Sequence, residues 1–321
     1  MEQRNLGRSG LRVSVIGLGC NNLGGRCDLA ASRAVVHAAL DQGVTLFDTA
    51  NVYPRGARGR SEEFLGQLLG DRRKDVVVAT KFGIPLDGGR LGDTSRRTVM
   101  TAAEESLRRL GTDWIDLYQI HRFDPRTPVE ETLRALDDLI RQGKVRYIGC
   151  SRFAAWQVVD ALWTSRLHGL HAFVSCQDEY SLLAREPDTG LLDAMQAHGL
   201  GMLPYFPLAS GLLTGKYRRD APLPPGARLT YTPELSGHFI SERNWALLEQ
   251  LERFCTARGR SMLELAFSWL LSRPTVATVI AGATKPEQIA QNIAAGGWML
   301  DAGERAEIDR MTAPSLPLPA P

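Results

Sequence analysis

The feature of this sequence that most constrains its fold is a regular alternation between two kinds of segment. Short apolar runs rich in β-branched residues alternate with longer amphipathic stretches, which is typical of repeated βα units. Eight runs have the character of buried strands, at 13–18, 44–47, 76–80, 115–120, 145–149, 173–175, 201–205 and 276–280. Helical periodicity is found at 28–42, 59–70, 94–110, 128–142, 153–167, 190–198, 242–271 and 286–295.

Eight βα units in 321 residues predict an α/β fold, a single-domain (β/α)₈ TIM barrel. The rival architecture is a doubly wound Rossmann-type sheet. Its fingerprint G-x-G-x-x-G fails after the first strand, because the sequence GLGCNN places Asn22 at the third glycine position. We expect the barrel to occupy residues 1–314. The proline-rich residues 315–321 are expected to form a disordered tail.

Composition limits the partners and the compartment. The 38 Lys and Arg residues against 36 Asp and Glu residues give a net charge of +2, too small to predict a nucleic-acid or membrane-surface partner. The five cysteines are scattered, with no C-x-x-C pair, so neither a disulfide framework nor a thiolate metal site is predicted. Without an apolar leader or a membrane-length apolar run, the chain is expected to be a cytoplasmic protein with a small-molecule ligand.

Polar residues of complementary chemistry follow three consecutive predicted strands. Asp48 follows the second strand and Tyr53 lies five residues beyond it, while Lys81 follows the third strand and His121 the fourth. In a (β/α)₈ barrel the carboxyl ends of all strands meet at one mouth, where catalytic residues are found. We therefore expect these four side chains to lie together as a catalytic set.

The chemistry of this set can be derived from its charges. Asp48 can hold Lys81 as an ion pair, and Lys81 beside Tyr53 favours the phenolate. His121 can orient a carbonyl oxygen by hydrogen bonding. Tyr53 is thus predicted to be a general acid for an oxygen anion forming at a carbonyl, or a base in the reverse direction. The set lacks a hydride source of its own.

With these residues in place, the chain resembles the aldo-keto reductase superfamily over nearly its whole length. Six passages carry the resemblance, LFDTANVY (46–53), VVVATKFG (76–83), IDLYQIHRFD (115–124), VRYIGCSRF (145–153), YFPLASGLLTGKY (205–217) and IAGATKPEQIAQN (280–292). The resemblance implies a catalytic tetrad of Asp48, Tyr53, Lys81 and His121. It also implies an extended NADP(H) cofactor, bound without a Rossmann fold, and the reduction of small aldehydes or ketones to alcohols.

The resemblance further implies the residues that contact the cofactor. Ser151 and Gln177 would hold the nicotinamide carboxamide, and Tyr205 would stack on the ring. A pyrophosphate clasp and an adenosine site would follow near the end of the chain, with a helix N-terminus facing the phosphate. The clasp would comprise the turn of Pro207, Leu208, Ala209, Ser210 and Gly211 together with Lys216. The adenosine site would comprise Gly282, Thr284, Gln288, Gln291 and Asn292.

Three positions depart from the common family pattern. Arg152 stands where asparagine is frequent, and the sequence from Ser151 to Phe153 resembles the branch of the potassium-channel β-subunits. Gln288 replaces an arginine of many NADP-preferring members, and a neutral amide cannot neutralise a 2′-phosphate, so NAD(H) is an alternative cofactor. Phe206 replaces a common serine. Two other functions stay open: a dehydrogenase acting on an alcohol or sugar, and a cofactor-sensing interaction protein.

Several other patterns favour ordinary structure over a site. His168 and His171 lack the spacing and the glutamate of a zincin helix, so no metal is predicted, and the GLLTGKY passage at 211–217 does not match a phosphate-binding P-loop. The arginine-rich run 55–60 is predicted to be a solvated loop or a border of the substrate pocket. Trp114 and Trp156 are expected in the core. Substrate specificity is expected in loops 20–27, 54–60, 84–93 and 218–241 and in the stretch after Ala295. The irregular segment 211–241 resembles a lid, and oligomeric state is left open.

Overall fold

A computed structural model describes residues 1–84 and 92–313. The predicted tail at 315–321 and most of the loop at 84–93 lie outside the described residues. The strands of the described part are β1 (Gln3–Asn5), β2 (Arg12–Ser14), β3 (Ile16–Gly19), β4 (Leu46–Asp48), β5 (Val77–Phe82), β6 (Ile115–Ile120), β7 (Val145–Ser151), β8 (Ser175–Glu179), β9 (Gly201–Tyr205) and β10 (Val279–Gly282).

Eight of these strands form a parallel barrel. They are hydrogen-bonded in the order β10, β3, β4, β5, β6, β7, β8, β9. The ring is closed by a bridge between Met202 and Val276, where the Met202 amide donates to the Thr275 carbonyl at 2.7 Å. The predicted single-domain (β/α)₈ barrel is therefore confirmed.

Helices surround the barrel and alternate with its strands. They are α1 (Leu29–Asp41), α2 (Arg60–Leu69), α3 (Arg96–Leu110), α4 (Val129–Arg141), α5 (Ala155–His168), α6 (Leu191–His198), α7 (Arg228–Tyr231), α8 (Pro233–Phe239), α9 (Glu242–Thr256), α10 (Met262–Leu271), α11 (Pro286–Ala295) and α12 (Ala302–Met311). The larger core cluster packs the apolar faces of these helices against the outside of the barrel. The prediction of one helix at 242–271 was wrong, because Ser261 begins a new helix by accepting a hydrogen bond from the Glu264 amide.

The predicted first strand at 13–18 is divided between two sheets. Its beginning, β2, pairs antiparallel with β1, and only its end, β3, enters the barrel. Leu6 and Val13 of this hairpin are fully buried with Leu46 and Leu117 of the barrel interior. The hairpin therefore closes the amino-terminal end of the barrel and leaves the carboxyl-terminal end as the open mouth.

The segment predicted as an irregular lid contains short helices. After a 3₁₀ turn at Ala209–Thr214, α7 and α8 follow. Arg26, from the loop after β3, holds this segment: its guanidinium donates to the Gly226 carbonyl at 3.0 Å and lies 4.4 Å from the centre of the Tyr231 ring. The segment is thus fastened beside the mouth of the barrel. In the described part of the chain, no helix is long and apolar enough to cross a membrane.

Candidate active site

The ends of β4, β5 and β6 bring the predicted catalytic residues together. Asp48 is the last residue of β4, Lys81 lies near the end of β5, and His121 directly follows β6. The strands are in register, with Asp48 beside Ala79 and Lys81 beside Gln119. All three side chains therefore lie in the uppermost layers of the barrel.

Asp48 and Lys81 form a buried ion pair. The Lys81 ammonium lies 2.6 Å from the Asp48 Oδ2 atom and also donates to the Thr49 carbonyl at 2.9 Å. The Lys81 side chain has no exposed surface. Two acceptors hold the ammonium in place, so its charge has a defined position below the mouth.

The second oxygen of Asp48 is held by two glutamine side chains. Gln177 donates to Asp48 Oδ1 at 3.0 Å, and Gln119 donates to the same atom at 3.4 Å. Gln177 was predicted from the family resemblance to hold a cofactor amide, and one of its N–H groups is occupied by this bond. Sequence reasoning missed Gln119. A signal for it exists, since Gln119 is the polar residue two positions before His121 and hence on the same side of the strand.

Tyr53 and His121 lie at the mouth, next to the ion pair. Their rings meet edge to face with centroids 5.6 Å apart, and the Lys81 ammonium lies 5.3 Å from the centre of the Tyr53 ring. Burial lowers the pKa of the His121 imidazole well below its usual value, and the positive charges of Lys81 and Arg152 act in the same direction. His121 is therefore neutral near pH 7. Its buried Nδ1 atom has no hydrogen-bond partner among the described residues.

The ends of β7, β8 and β9 carry the residues predicted for the nicotinamide. Ser151 is buried and pairs in register with Gln177. Arg152 has a left-handed backbone, with φ of 57°, and its guanidinium lies 5.1 Å from the centre of the Tyr205 ring. Burial raises the pKa of Tyr205 to about 12. The structure thus brings these four residues to the same mouth as the ion pair.

The turn after β9 contains the residues predicted for the pyrophosphate clasp. Ala209, Ser210 and Gly211 have φ of 45°, 56° and 100°, so three consecutive residues are left-handed. The buried Ser210 hydroxyl has no hydrogen-bond partner among the described residues. Lys216 folds across this turn, because a Cβ atom on Gly211 would lie 2.9 Å from its Nζ atom. Pro207 and Leu208 begin the turn.

The predicted adenosine residues lie at the end of β10 and on α11. Gln288 accepts a hydrogen bond from the Thr284 amide at 2.7 Å, so it caps the beginning of the helix. Gln291 is exposed one turn further on, and Asn292 is buried. Gly282 ends β10 close to Asn22, whose amide would lie 3.3 Å from an added Cβ atom.

Comparison with known proteins identifies the family. The model of the aldo/keto reductase family matches residues 15–313. The chain belongs to the aldo/keto reductase family. Among its relatives is a probable voltage-gated potassium channel subunit beta from Oryza sativa subsp. japonica, 36% identical over 92% of this chain and 91% of the relative.

Two bacterial relatives of this aldo/keto reductase are named as enzymes. The L-glyceraldehyde 3-phosphate reductase of Escherichia coli K12 is 34% identical over 98% of this chain and 93% of the relative. The oxidoreductase YrpG of Bacillus subtilis, itself uncharacterized, is 36% identical over 99% of this chain and 97% of the relative. Family and relatives together support a general oxidoreductase role.

Two cations near the turn after β9, Arg26 and Arg228, were not predicted from the sequence. The Arg228 guanidinium of α7 lies 5.0 Å from the centre of the Phe206 ring, beside the turn that follows β9. Burial lowers the pKa of Arg228 and of Lys216, and the positive charge of Arg26 lowers both further. The lid and the loop after β3 therefore add positive charge near the turn. Neither Arg26 nor Arg228 belongs to a motif, so only the folded structure shows that they lie near the turn.

The two tryptophans predicted in the core are not buried. Trp114 is half-buried between the Arg73 and Arg146 guanidinium groups, which lie 4.7 Å and 4.6 Å from its ring centre. Trp156 is 65% exposed near the beginning of α5. The prediction failed for Trp156 because the apolar residues around it divide between two faces of the helix.

Proposed function

We propose that this protein is an NADP(H)-dependent oxidoreductase that reduces small aldehydes or ketones to alcohols, with Tyr53 as the proton donor. The observation that carries the proposal is the buried pair of Asp48 and Lys81, whose ammonium lies 5.3 Å from the centre of the Tyr53 ring. A fixed cation beside a phenol stabilises the phenolate that remains after proton transfer. Packing alone does not require such a pair.

Each residue of the set has a distinct task in this proposal. Tyr53 donates its proton to the oxygen of the carbonyl group as negative charge develops there. His121, neutral because of its burial and the nearby cations, donates a hydrogen bond that orients the carbonyl. Asp48, held by Gln119 and Gln177, fixes the position of Lys81.

The residues present fit a dinucleotide cofactor. The left-handed turn at Ser210 and Gly211 contains a buried hydroxyl without a partner, and Lys216 lies across it, as expected of a cradle for a diphosphate. Arg26 and Arg228 add two further cations. Ser151 and Tyr205 would hold the nicotinamide, and Gly282, Thr284, Gln291 and Asn292 the adenosine. When bound, NADP(H) supplies the hydride for carbonyl reduction.

Two alternatives keep the same site but change its use. The reaction can run mainly as oxidation of an alcohol or sugar, with Tyr53 as the base. The likeness to a potassium channel subunit beta favours a second alternative, a cofactor-sensing interaction protein. His121 argues for catalysis, since its neutral imidazole beside Tyr53 serves a reacting carbonyl and has no evident use in binding alone.

Steady-state assays of the full chain with Tyr53→Phe test the proposal. NADPH consumption is followed on a panel of short-chain and aryl aldehydes and ketones, and NADP⁺ reduction on the matching alcohols. We expect the variant to lose at least about 100-fold in kcat, the scale of general acid catalysis, with NADPH affinity unchanged. Retention of more than about 5% of the activity would exclude Tyr53 as the donor. Turnover of no substrate by the unmodified protein would favour the interaction protein.

A further inference from the structure

Helix α8 of the lid contacts the barrel through its last two residues. Among the seven described residues of α8, Phe239 is the one that is buried. The Phe239 ring meets the Phe206 ring edge to face, with centroids 5.6 Å apart. His238 donates from its Nε2 atom to the Glu179 carboxylate at 2.9 Å. We call these two contacts, Phe239 with Phe206 and His238 with Glu179, the lid ties.

Both lid ties end on strands that carry residues predicted for the nicotinamide. Glu179 is the last residue of β8 and Tyr205 the last residue of β9, and the two pair in register. Gln177 lies two positions before Glu179, on the same side of the strand. Phe206 directly follows Tyr205. The lid is therefore joined to the end of the cradle where the nicotinamide is proposed to lie.

Phe206 has a backbone conformation that is unusual for a bulky residue. Its φ of 51° is left-handed, a region in which aromatic residues are rare. Its ring lies between the Tyr205 ring, with centroids 5.3 Å apart, and the lid residues Phe239 and Arg228. Strained backbone of this kind is kept where the surrounding contacts determine it, often at functional sites. The serine that is common at this position is too small to join Tyr205 to the lid.

We propose that the lid closes in response to the nicotinamide half of the cofactor, with Phe206 and Glu179 as the positioning residues that couple the two. The inference rests on the proposed function, since it requires NADP(H) in the cradle. Tyr205, once stacked on the nicotinamide, presents a fixed ring to Phe206. Gln177, once bonded to the carboxamide, fixes the end of β8 that carries Glu179. Both effects favour the lid ties, and because coupling is reciprocal, the lid ties strengthen nicotinamide binding.

A lid that only covered the diphosphate would respond to a different part of the cofactor. The lid does have a contact beside the diphosphate cradle, since the Leu229 amide donates to the Tyr217 hydroxyl at 3.3 Å, one residue after Lys216. The compound 2′-phospho-ADP-ribose has the diphosphate and the adenosine of NADPH but no nicotinamide. A simple cover would be stabilised equally by NADPH and by this fragment. A lid coupled to the nicotinamide responds to NADPH alone.

Isothermal titration calorimetry of the full chain with NADPH and with 2′-phospho-ADP-ribose separates the two accounts. Phe206→Leu removes a ring but keeps an apolar side chain, and should weaken NADPH binding about 2- to 10-fold, the contribution of one aromatic pair. Binding of the fragment should change by less than about twofold. Phe239→Leu should give the same pattern. The double variant should lose no more than either single one, because both residues act through one contact.

The second lid tie has its own variant and a matched control. His238→Ala removes the bond to Glu179 from a half-exposed position and leaves the strand residues unchanged, so it should weaken NADPH binding and spare the fragment. Glu234→Gln, on the same helix, is the control. Glu234 lies 3.8 Å from Arg55 in an exposed pair that does not involve β8 or β9, and its loss should change neither affinity.

Hydrogen exchange measures the response of the lid directly. The Ser236 and Ile240 amides donate to the Thr232 and Ser236 carbonyls at 3.1 Å and 2.9 Å, so their exchange reports the opening of α8. In the wild type, saturating NADPH should slow this exchange at least about fivefold more than saturating 2′-phospho-ADP-ribose does. The difference should disappear in Phe206→Leu.

The possible results separate this inference from the proposed function. A wild-type protein that binds neither NADPH nor NADH would overturn both. A wild type that binds NADPH, with lid-tie variants that lose equal affinity for the fragment or lose none, would overturn the inference alone and leave the lid a cover for the diphosphate. Circular dichroism establishes that each variant is folded. If Phe206→Leu does not fold, His238→Ala provides the same comparison.

Discussion

The Lys81 ammonium and the Asp48 carboxylate are joined at 2.6 Å inside the barrel, where the lysine has no contact with solvent. Burying two charges is costly, and a well-packed hydrophobic pair of equal volume would stabilise the fold as well or better. The Thr49 carbonyl and the Gln177 amide complete the hydrogen bonds of the pair. Its position at the mouth is the one expected of a charge that serves the proposed reaction.

Removing only the cation of this pair should be worse for stability than removing both charges. Lys81→Met leaves the Asp48 carboxylate buried without its counterion, at a cost of about 3–5 kcal/mol in the free energy of unfolding. The double variant Asp48→Asn/Lys81→Met keeps the hydrogen bond from Gln177 without a stranded charge, and should recover most of that loss. Urea unfolding measures both. A double variant less stable than the single one would contradict this account of the pair.

The neutral His121 predicts a pH dependence of stability. Burial and nearby cations lower its pKa in the folded chain, whereas in the unfolded chain it takes up a proton near pH 6.5. Below about pH 6.5 the unfolded state therefore binds more protons, so this contribution to stability decreases as pH falls and is constant above that value. The stability difference between wild type and His121→Asn should change by up to about 1.4 kcal/mol per pH unit below pH 6.5. A constant difference from pH 5 to 8 would count against a depressed pKa.

The position of the catalytic set was predictable because it depends on one simple rule. All barrel strands run in the same direction, so residues at their carboxyl ends meet whatever their separation in sequence. Asp48, Lys81 and His121 needed only the strand boundaries. Gln119 and Gln177 needed more, since their bonds to Asp48 cross 71 and 129 residues and depend on the closed ring. The catalytic roles of Asp48, Lys81 and His121 stay predictions.

Other features could not be read from local pattern. The run at 13–18 is mostly apolar, and nothing in it shows that its beginning leaves the barrel to pair with β1. Trp156 lies near buried residues of α5, yet helical rotation places it on the opposite face. In both cases a tertiary contact decides the position of the residues. The apolar character of a residue does not specify which apolar surface will cover that residue.

Replacing Gln288 should change the cofactor preference. Gln288→Arg adds a cation at the beginning of α11, where the 2′-phosphate of NADPH is proposed to lie, and charge-assisted hydrogen bonds there contribute about 1.5–3 kcal/mol. We expect the ratio of NADH to NADPH dissociation constants to rise by roughly 10- to 100-fold. Fluorescence titration with each cofactor measures the ratio.

Gln288→Arg should also lower the free energy of unfolding, and Gln288→Ala, which loses the same helix cap, is its control. Gln288 caps α11 by accepting from the Thr284 and Lys285 amides at 2.7 Å and 3.3 Å. Both Gln288→Arg and Gln288→Ala lose this cap, at about 1 kcal/mol. Gln288→Ala adds no charge, so its cofactor ratio should equal that of the wild type. Equal ratios in all three proteins would place the 2′-phosphate elsewhere.

A second buried carboxylate, at the opposite end of the barrel, should affect stability alone. Asp116 near the start of β6 contacts Arg73 at 2.7 Å and Arg146 at 3.0 Å, and accepts from the Val78 amide at 3.0 Å. Asp116→Asn leaves the buried Arg73 without a full counterion, and we expect a loss of about 3 kcal/mol in urea unfolding. Because the active sites of such barrels lie at the other mouth, kcat should be unchanged. Asp75→Asn, in an exposed pair with Arg72, is the control and should change stability by less than about 0.5 kcal/mol. A fall in kcat for folded Asp116→Asn would show that the two ends of the barrel are coupled.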